Sequence, residues 1–519
     1  MSRGCYERHL RGAKLVSPSI ILAVGLSMGT ACRTNEADIA RWANTQQGPS
    51  KLVAVFTHDK YEPQLRTKAA LTLVGMRPRG GQRVGIDALL DALASQSPGE
   101  RGKLVADLVP ALVERLQLPP GETDESIPYK DAAYSLISEE GAPLVEDPAL
   151  QTQLKEALKS WVAADFVRRM DAPQQKVGMQ QLLRTLGSTS VNPLPSLIKP
   201  GEPKVDRIVS LIAEIGDTET KNAASSALVE VAKHVASEAW LQETTPALKK
   251  ANEESGLQVD DKRFALQLSA YQEEELIRVF SSMRRVGGPA VGDFLLAYSA
   301  DPARPERLRA AALAALEGNI DKANADHVSR VLDIAGADAT PDSVRDLALR
   351  RVGELPRELV VSRLYGLFSH SNWKVRWLSA ELILKMSEGK HIAEFMTQLG
   401  KVTSMSISEP LRYGMLLGEL PGVGETDLAS YLPVTQPPAV RVSALGYYYS
   451  LGFAGQLPTV ERFSGDIQKV PACTKEAQDC EWKCGDKDIV TIGDYVTHCI
   501  KPAMQGRQEA PPKQSETTP

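Results

Sequence analysis

Aromatic side chains are scarce in this chain, at 5 % of 519 residues. With Ala and Leu abundant, that scarcity argues against sheets and predicts helices packed through small and aliphatic side chains. A basic surplus is also missing. The formal net charge of -5 leaves no electrostatic footprint for nucleic acid. No uncharged run is long enough to cross a bilayer, so a polytopic membrane protein is excluded. Yet 43 % hydrophobic and 24 % charged residues are ordinary values for a folded soluble chain, which excludes global disorder. The length exceeds one ordinary core, so either several domains or an architecture built by repetition is implied.

Catalytic patterns are missing as well. The seven histidines (His9, His58, His234, His327, His370, His391 and His498) never fall at the i, i+4 spacing of a helical zinc site. The G-x-S-x-G match at Gly25–Gly29 lies within an N-terminal leader. Gly80–Gly85 lacks the Lys and hydroxyl of a phosphate loop, and the glycines Gly422 and Gly424 lack the third glycine of a dinucleotide site. These are turns. No catalytic residue, cofactor or metal is expected.

The N-terminus carries an export signal in outline. Arg3, Arg8, Arg11 and Lys14 face a single acid, Glu7, and the stretch from Leu15 to Met28 is uncharged. As a helix it would be ~21 Å long, short of a ~30 Å hydrocarbon core. Gly29, Thr30, Ala31 and Cys32 follow, a sequence that resembles the lipobox of bacterial lipoproteins. Gly29 stands where that motif usually has Leu, which leaves ordinary signal-peptidase cleavage near Ala31 as the alternative. The resemblance implies cleavage before Cys32, acylation of its thiol, and an exported chain anchored to the envelope membrane by lipid alone. Loss of residues 1–31 takes the net charge to -8. Residues 32–50 are then expected to be attachment site and linker.

Internal repetition dominates the remainder. In "ERLRAAALAALEG", Leu308, Ala311, Ala312 and Ala315 or Leu316 return at helical spacing around Arg309, and Gly318 closes the helix. Relatives align on Arg278, Arg345, Arg376, Arg412 and Arg441, at intervals of 31, 36, 31, 36 and 29 residues. Each interval accommodates two short antiparallel helices. Upstream, Arg66 opens a good copy with Ala69, Ala70, Leu73 and Val74, and weaker copies begin at Lys130, Lys176 and Lys221. The phasing, with Val-Arg pairs at Arg345, Arg376 and Arg441, closely resembles HEAT repeats. The resemblance implies an all-α solenoid of antiparallel helix pairs and a non-catalytic, protein-binding scaffold. A helical enzyme or maturation factor like the HEAT-like lyases, or a structural envelope spacer, is the alternative. It also implies a structural ladder in which turn acids pair with the arginines: Asp301 with Arg309 and Asp338 with Arg345. Asn372 breaks that pattern before Arg376. Divergent repeats are assigned to 51–262 and clearer ones to 263–455.

Trp373, Trp377 and the run Tyr447–Tyr449 fit core filling better than a recognition patch. Beyond Phe453 the composition turns polar and four cysteines gather: Cys473, Cys480, Cys484 and Cys499. Their spacing, Cys-x6-Cys-x3-Cys-x14-Cys, lacks zinc knuckles, and in an exported chain it favours two disulfides. Cys480 and Cys484 are too close for a useful loop. The pairing is therefore Cys473–Cys480 with Cys484–Cys499, or Cys473–Cys484 with Cys480–Cys499. A stapled cap is expected over 456–504 and a disordered tail over 505–519.

Overall fold

The computed structural model describes residues 34–119, 124–138, 143–172, 176–387, 390–451, 456–473 and 481–508. Among them the chain is all-α apart from a two-stranded ribbon, Lys483–Cys484 with Lys487–Asp488. No described helix is long and apolar enough to cross a membrane. The leader, Cys32 and Cys480 lie outside the described residues.

Contacts divide the chain into two units, Met1–Gly178 and Met179–Pro519. In the first unit, helices Gly48–Thr57 and Pro63–Val74 form an antiparallel pair, followed by Val84–Ala94 with Pro98–Leu116 and Ile127–Ile137 with Pro148–Ala164. Proline opens most of these helices, where its missing N–H costs nothing and its fixed φ suits the first turn. Ser97 and Asp147 cap two of them by accepting backbone N–H bonds. Helix Glu36–Trp42, closed by a capping box at Asn35, occupies ground expected to be linker. The four core positions after Arg66 are all buried: Ala69, Ala70, Leu73 and Val74.

The second unit continues the pairing: Val205–Ile215 with Thr218–Val235, Glu238–Glu254 with Asp261–Val286, Pro289–Ala300 with Glu306–Ala315, and Ala325–Gly336 with Asp342–Val352. Then come Arg357–Gly366 with Trp373–Ser387, the short helix Ile392–Leu399, and Ser408–Glu419 with a last long helix, Pro438–Leu451. Helix Asp261–Val286 runs through the expected 262/263 boundary. Helices Ser408–Glu419 and Pro438–Leu451 cross backbone to backbone: a Cβ on Gly414 would lie 2.0 Å from the carbonyl carbon of Gly446, and one on Gly446 would lie 2.1 Å from the Pro410 oxygen.

The C-terminal cap carries more apolar core than its composition promised. Ile489, Ile492, Tyr495, Val496, Ile500 and Met504 are buried, and its helical turns pack on Pro438–Leu451. Trp482 donates its indole N–H to the Met405 carbonyl at 2.9 Å, and Ala472 accepts from the Met405 N–H at 2.9 Å and donates its own N–H to the Thr403 carbonyl at 3.2 Å. Helix Lys501–Gln508 crosses the boundary expected at 505, so the tail cannot begin there; the remainder of the expected tail lies outside the described residues.

Candidate functional site

The repeat arginines are positioned by their place in the second helix of a pair, where a long side chain reaches back to the end of the first. Arg309 donates through Nε to the Ser299 carbonyl at 2.8 Å, near the C-terminus of Pro289–Ala300. Arg345 reaches the Ala337 carbonyl at 2.9 Å and that of Asp338 at 3.3 Å, just after Ala325–Gly336. Arg376 reaches the His370 and Ser371 carbonyls at 2.5 and 3.2 Å. Arg441 reaches the Leu432 carbonyl at 2.7 Å. All four are buried. A helix C-terminus leaves carbonyls without partners and carries the negative end of the dipole, so a guanidinium satisfies both demands.

The expected acidic rungs are therefore corrected. Asp301 caps the Ala303 N–H and pairs with Arg304 at 3.1 Å, not with Arg309. The Asp338 carboxylate faces His370 Nε2 and accepts from Ser371 Oγ, both at 3.1 Å, while Arg345 takes its own helix's Asp342 at 2.8 Å. The rung that Asn372 appeared to break holds a buried ion pair instead. Arg376 binds Glu409, from the next repeat, through Nε at 3.0 Å and a second nitrogen at 2.5 Å. Arg441 similarly reaches Asp466 and Gln468. Burial pushes the Asp466 carboxyl up, but the Arg441 guanidinium and the Gln468 N–H outweigh it and hold the group below the ordinary aspartate range. Arg66 binds Asp107 at 3.0 Å. Arg278 does not open a helix: it sits in the second half of Asp261–Val286, half-exposed, against Glu275 at 2.6 Å.

Arg412 leaves the ladder altogether. It is exposed, its guanidinium carbon 5.0 Å from the Trp373 ring centroid and 4.5 Å from that of Trp377. The two half-buried indoles thus flank a surface cation instead of filling the core. Met415, one turn further along the same helix, is 53 % exposed. Tyr447 and Tyr448 do enter the core, edge to face at 5.6 Å, with burial raising the Tyr448 phenol to about 12.

In the cap, Cys484 and Cys499 form a disulfide that closes a 15-residue separation. That bond belongs to the first of the two expected pairings. Cys473 is disulfide-bonded as well. Among the described residues no cluster of His, Cys, Asp or Glu has the makeup of a metal site.

Sequence reasoning missed a buried ionic cluster in the first unit. Asp131 accepts from Lys130 Nζ at 2.7 Å, Arg83 Nε at 3.1 Å, and the backbone N–H groups of Lys176 and Val177 at 3.0 and 3.1 Å. Lys130 also donates to the Val177 carbonyl at 2.5 Å. Burial lowers the Lys130 ammonium below its ordinary value against the opposing pull of Asp131. Beside it, Arg169 binds Asp124 at 2.6 Å and stacks 4.2 Å over Trp161. With the Asp131 carboxylate so fully engaged, this cluster is a clamp that ties the 176–177 segment onto helix Ile127–Ile137. Its only trace in the sequence is that Lys130 and Lys176 each stand where a repeat arginine would.

Stacked antiparallel helix pairs, tied at their turns by arginines, define the chain as an all-α helical-repeat protein. No protein-family model matches it, and no curated protein matches it. Among solved structures it is similar to Kap121p, at 12 % identity and a TM-score of 0.26, over 82 % of this chain and 43 % of that one. It is also similar to the UNC-45 chaperone, whose structure is described by features critical for binding and folding muscle myosin, at 12 % identity and a TM-score of 0.17. That match covers 84 % of this chain and 62 % of the chaperone. The chain thus spans less than half of the first and under two thirds of the second.

Proposed function

We propose that this protein is a non-catalytic, protein-binding scaffold, exported and held at the cell-envelope membrane by lipid on Cys32. The observation that carries the binding role is the Trp373–Arg412–Trp377 surface. Tryptophan and arginine are enriched at the energetic centres of protein interfaces, and methionine in interfaces generally. A guanidinium held between two indoles has already lost much of its rotamer freedom, so less is lost on binding. The anchor reading rests on the leader and the residues before Cys32; two acyl chains on Cys32 with a third on its amine exceed the two-signal requirement for stable attachment.

The test is chemical cross-linking in intact envelopes followed by affinity purification, run on wild type and on Trp377→Ala with Arg412→Ala. A stoichiometric protein partner should be recovered with wild type and lost with the double variant at unchanged hydrogen exchange of helices Trp373–Ser387 and Ser408–Glu419. A partner retained by that variant would remove the surface from the account. A tightly bound small molecule in place of a protein would overturn the scaffold. Separately, Cys32→Ser should move the chain to the soluble fraction; a wild-type chain that is already soluble with an unmodified thiol would end the anchor reading.

A further inference from the structure

The pair Glu238–Glu254 and Asp261–Val286 is built unlike its neighbours. Helix Glu238–Glu254 buries only Trp240 and Asn252, and the longer helix buries nothing before Leu276. The two are joined by a reciprocal amide pair, Asn252 with Gln267 at 2.8 and 3.1 Å, and by Tyr271 stacked on Trp240 at 5.7 Å. Three large apolar side chains stand exposed on this arm: Leu257 at 58 %, Leu266 at 65 % and Tyr271 at 43 %. Half-buried Phe264, with the Lys249 ammonium 5.3 Å over its ring, lies on the side that meets the first helix, and the opposite face of the long helix is exposed from Lys262 to Ala270 and met by Arg307 at Glu273 and Glu274.

At 100° per residue, that face carries Lys262 and Arg263, then Leu266, then Ser269 and Ala270, then Glu273 and Glu274. Its order is basic, apolar, small, acidic. Such a face complements itself when two copies pack antiparallel about a two-fold axis, because that operation brings the basic end of each against the acidic end of the other. The same operation keeps each flank on its own side. Lys262 then meets the partner's Glu273, Arg263 meets the partner's Glu274, and Leu266 lies over the notch left by the partner's Ala270. The present contacts of these charges are loose: Arg263 is 3.6 Å from Asp260, and Arg307 is 3.5 and 3.4 Å from Glu273 and Glu274.

We infer that this face is a self-association surface, through which two copies of the chain pair by antiparallel docking of helix Asp261–Val286. The matched stretch is about 13 residues or ~20 Å of helix, which falls short of the ~800 Å² per partner of a stable interface. The dimer is accordingly weak, with a dissociation constant on the order of 100 μM.

Sedimentation equilibrium of the whole chain from about 5 to 500 μM should show its mean mass rising toward twice the monomer. Leu266→Glu should abolish the rise. Lys262→Glu with Arg263→Glu should raise the dissociation constant about tenfold or more, and adding Glu273→Lys with Glu274→Lys should restore it. Mixing Leu266→Cys chains with Ala270→Cys chains under oxidation should give a covalent dimer, and mixing Leu266→Cys with Leu257→Cys should not. A monomer across the whole range, indifference to Leu266→Glu, or failure of the fourfold variant to recover would overturn the proposal. So would a monomer that floats with phosphatidylglycerol vesicles and loses that binding on Lys262→Glu with Arg263→Glu, an outcome that would assign the face to a lipid surface.

Discussion

Removing the Arg376 guanidinium should be among the most damaging single changes in the second unit. Its side chain and that of Glu409 are 3 % and 1 % exposed. In Arg376→Ala the carboxylate keeps only the Ser406 N–H at 2.7 Å and the Tyr413 hydroxyl at 3.2 Å. An uncompensated buried charge typically costs 3–5 kcal/mol, about what is expected here. Arg345→Ala is the internal control. Its carboxylate partner, Asp342, is 57 % exposed, and water can replace the guanidinium, so the cost should be about 1–2 kcal/mol. Replacing both charges, Arg376→Met with Glu409→Leu, leaves the Ser406 N–H, the buried Tyr413 hydroxyl and the His370 and Ser371 carbonyls without these partners, all of them neutral groups. That double variant should cost less than Arg376→Ala alone, giving a coupling of roughly 2 kcal/mol. Because the chain has two units, a single melting temperature would blur the effect. Hydrogen exchange of helices Trp373–Ser387 and Ser408–Glu419, read by mass spectrometry, gives the local free energy. If Arg376→Ala opens these helices no more than Arg345→Ala does, or if the double variant is the worse, the buried-charge reasoning fails.

Gly446→Ala should destabilise the last helix crossing by several kcal/mol (~3 or more), since the new Cβ meets main chain that cannot swing aside; Gly465→Ala, with nothing within 4 Å, should be nearly silent in the same urea titration. His370 is held below the ordinary histidine pKa by burial, with Arg345 and Arg376 adding to it against Asp338. Below about pH 6.5 the unfolded chain therefore binds the proton more readily, and stability falls as pH falls. Against His370→Asn, wild type should show the steeper loss between about pH 7.5 and 5.5; parallel curves would discount the site. Cys484→Ser with Cys499→Ser should cost about 3 kcal/mol for a loop of this length and speed exchange in 492–508 first. Uniform exchange there would mean that the apolar core of the cap suffices.

What the sequence made legible followed from periodicity. The helix pairs and the buried Ala69, Ala70, Leu73 and Val74 come from a repeat of about 33 residues written in small and aliphatic side chains. Partners were harder to read. Asp301 and Asp338 sit in the turns where an acid would serve, yet the guanidinium of each pair finds main-chain oxygen first, and no residue letter records a free carbonyl. Glu409, 33 residues beyond Arg376, is the partner that no local window contains. Trp373 and Trp377 have core spacing, but the helix is rotated so that both flank Arg412 at the surface. Gly414 and Gly446 resemble loop residues by composition, and only the crossing of two backbones shows why a side chain there is intolerable.

The tie from arginine to helix end has a consequence for how such a chain is built. A bond made to a carbonyl is indifferent to the side chain that the carbonyl belongs to. Ser299, Ala337, His370 and Leu432 all serve equally, and they share no chemistry beyond the peptide group. At these four repeats one basic residue therefore fixes the angle between two helices while the turn it grips is free to hold anything. A substitution in such a turn leaves the joint in place so long as the main-chain oxygen stays within reach of the guanidinium.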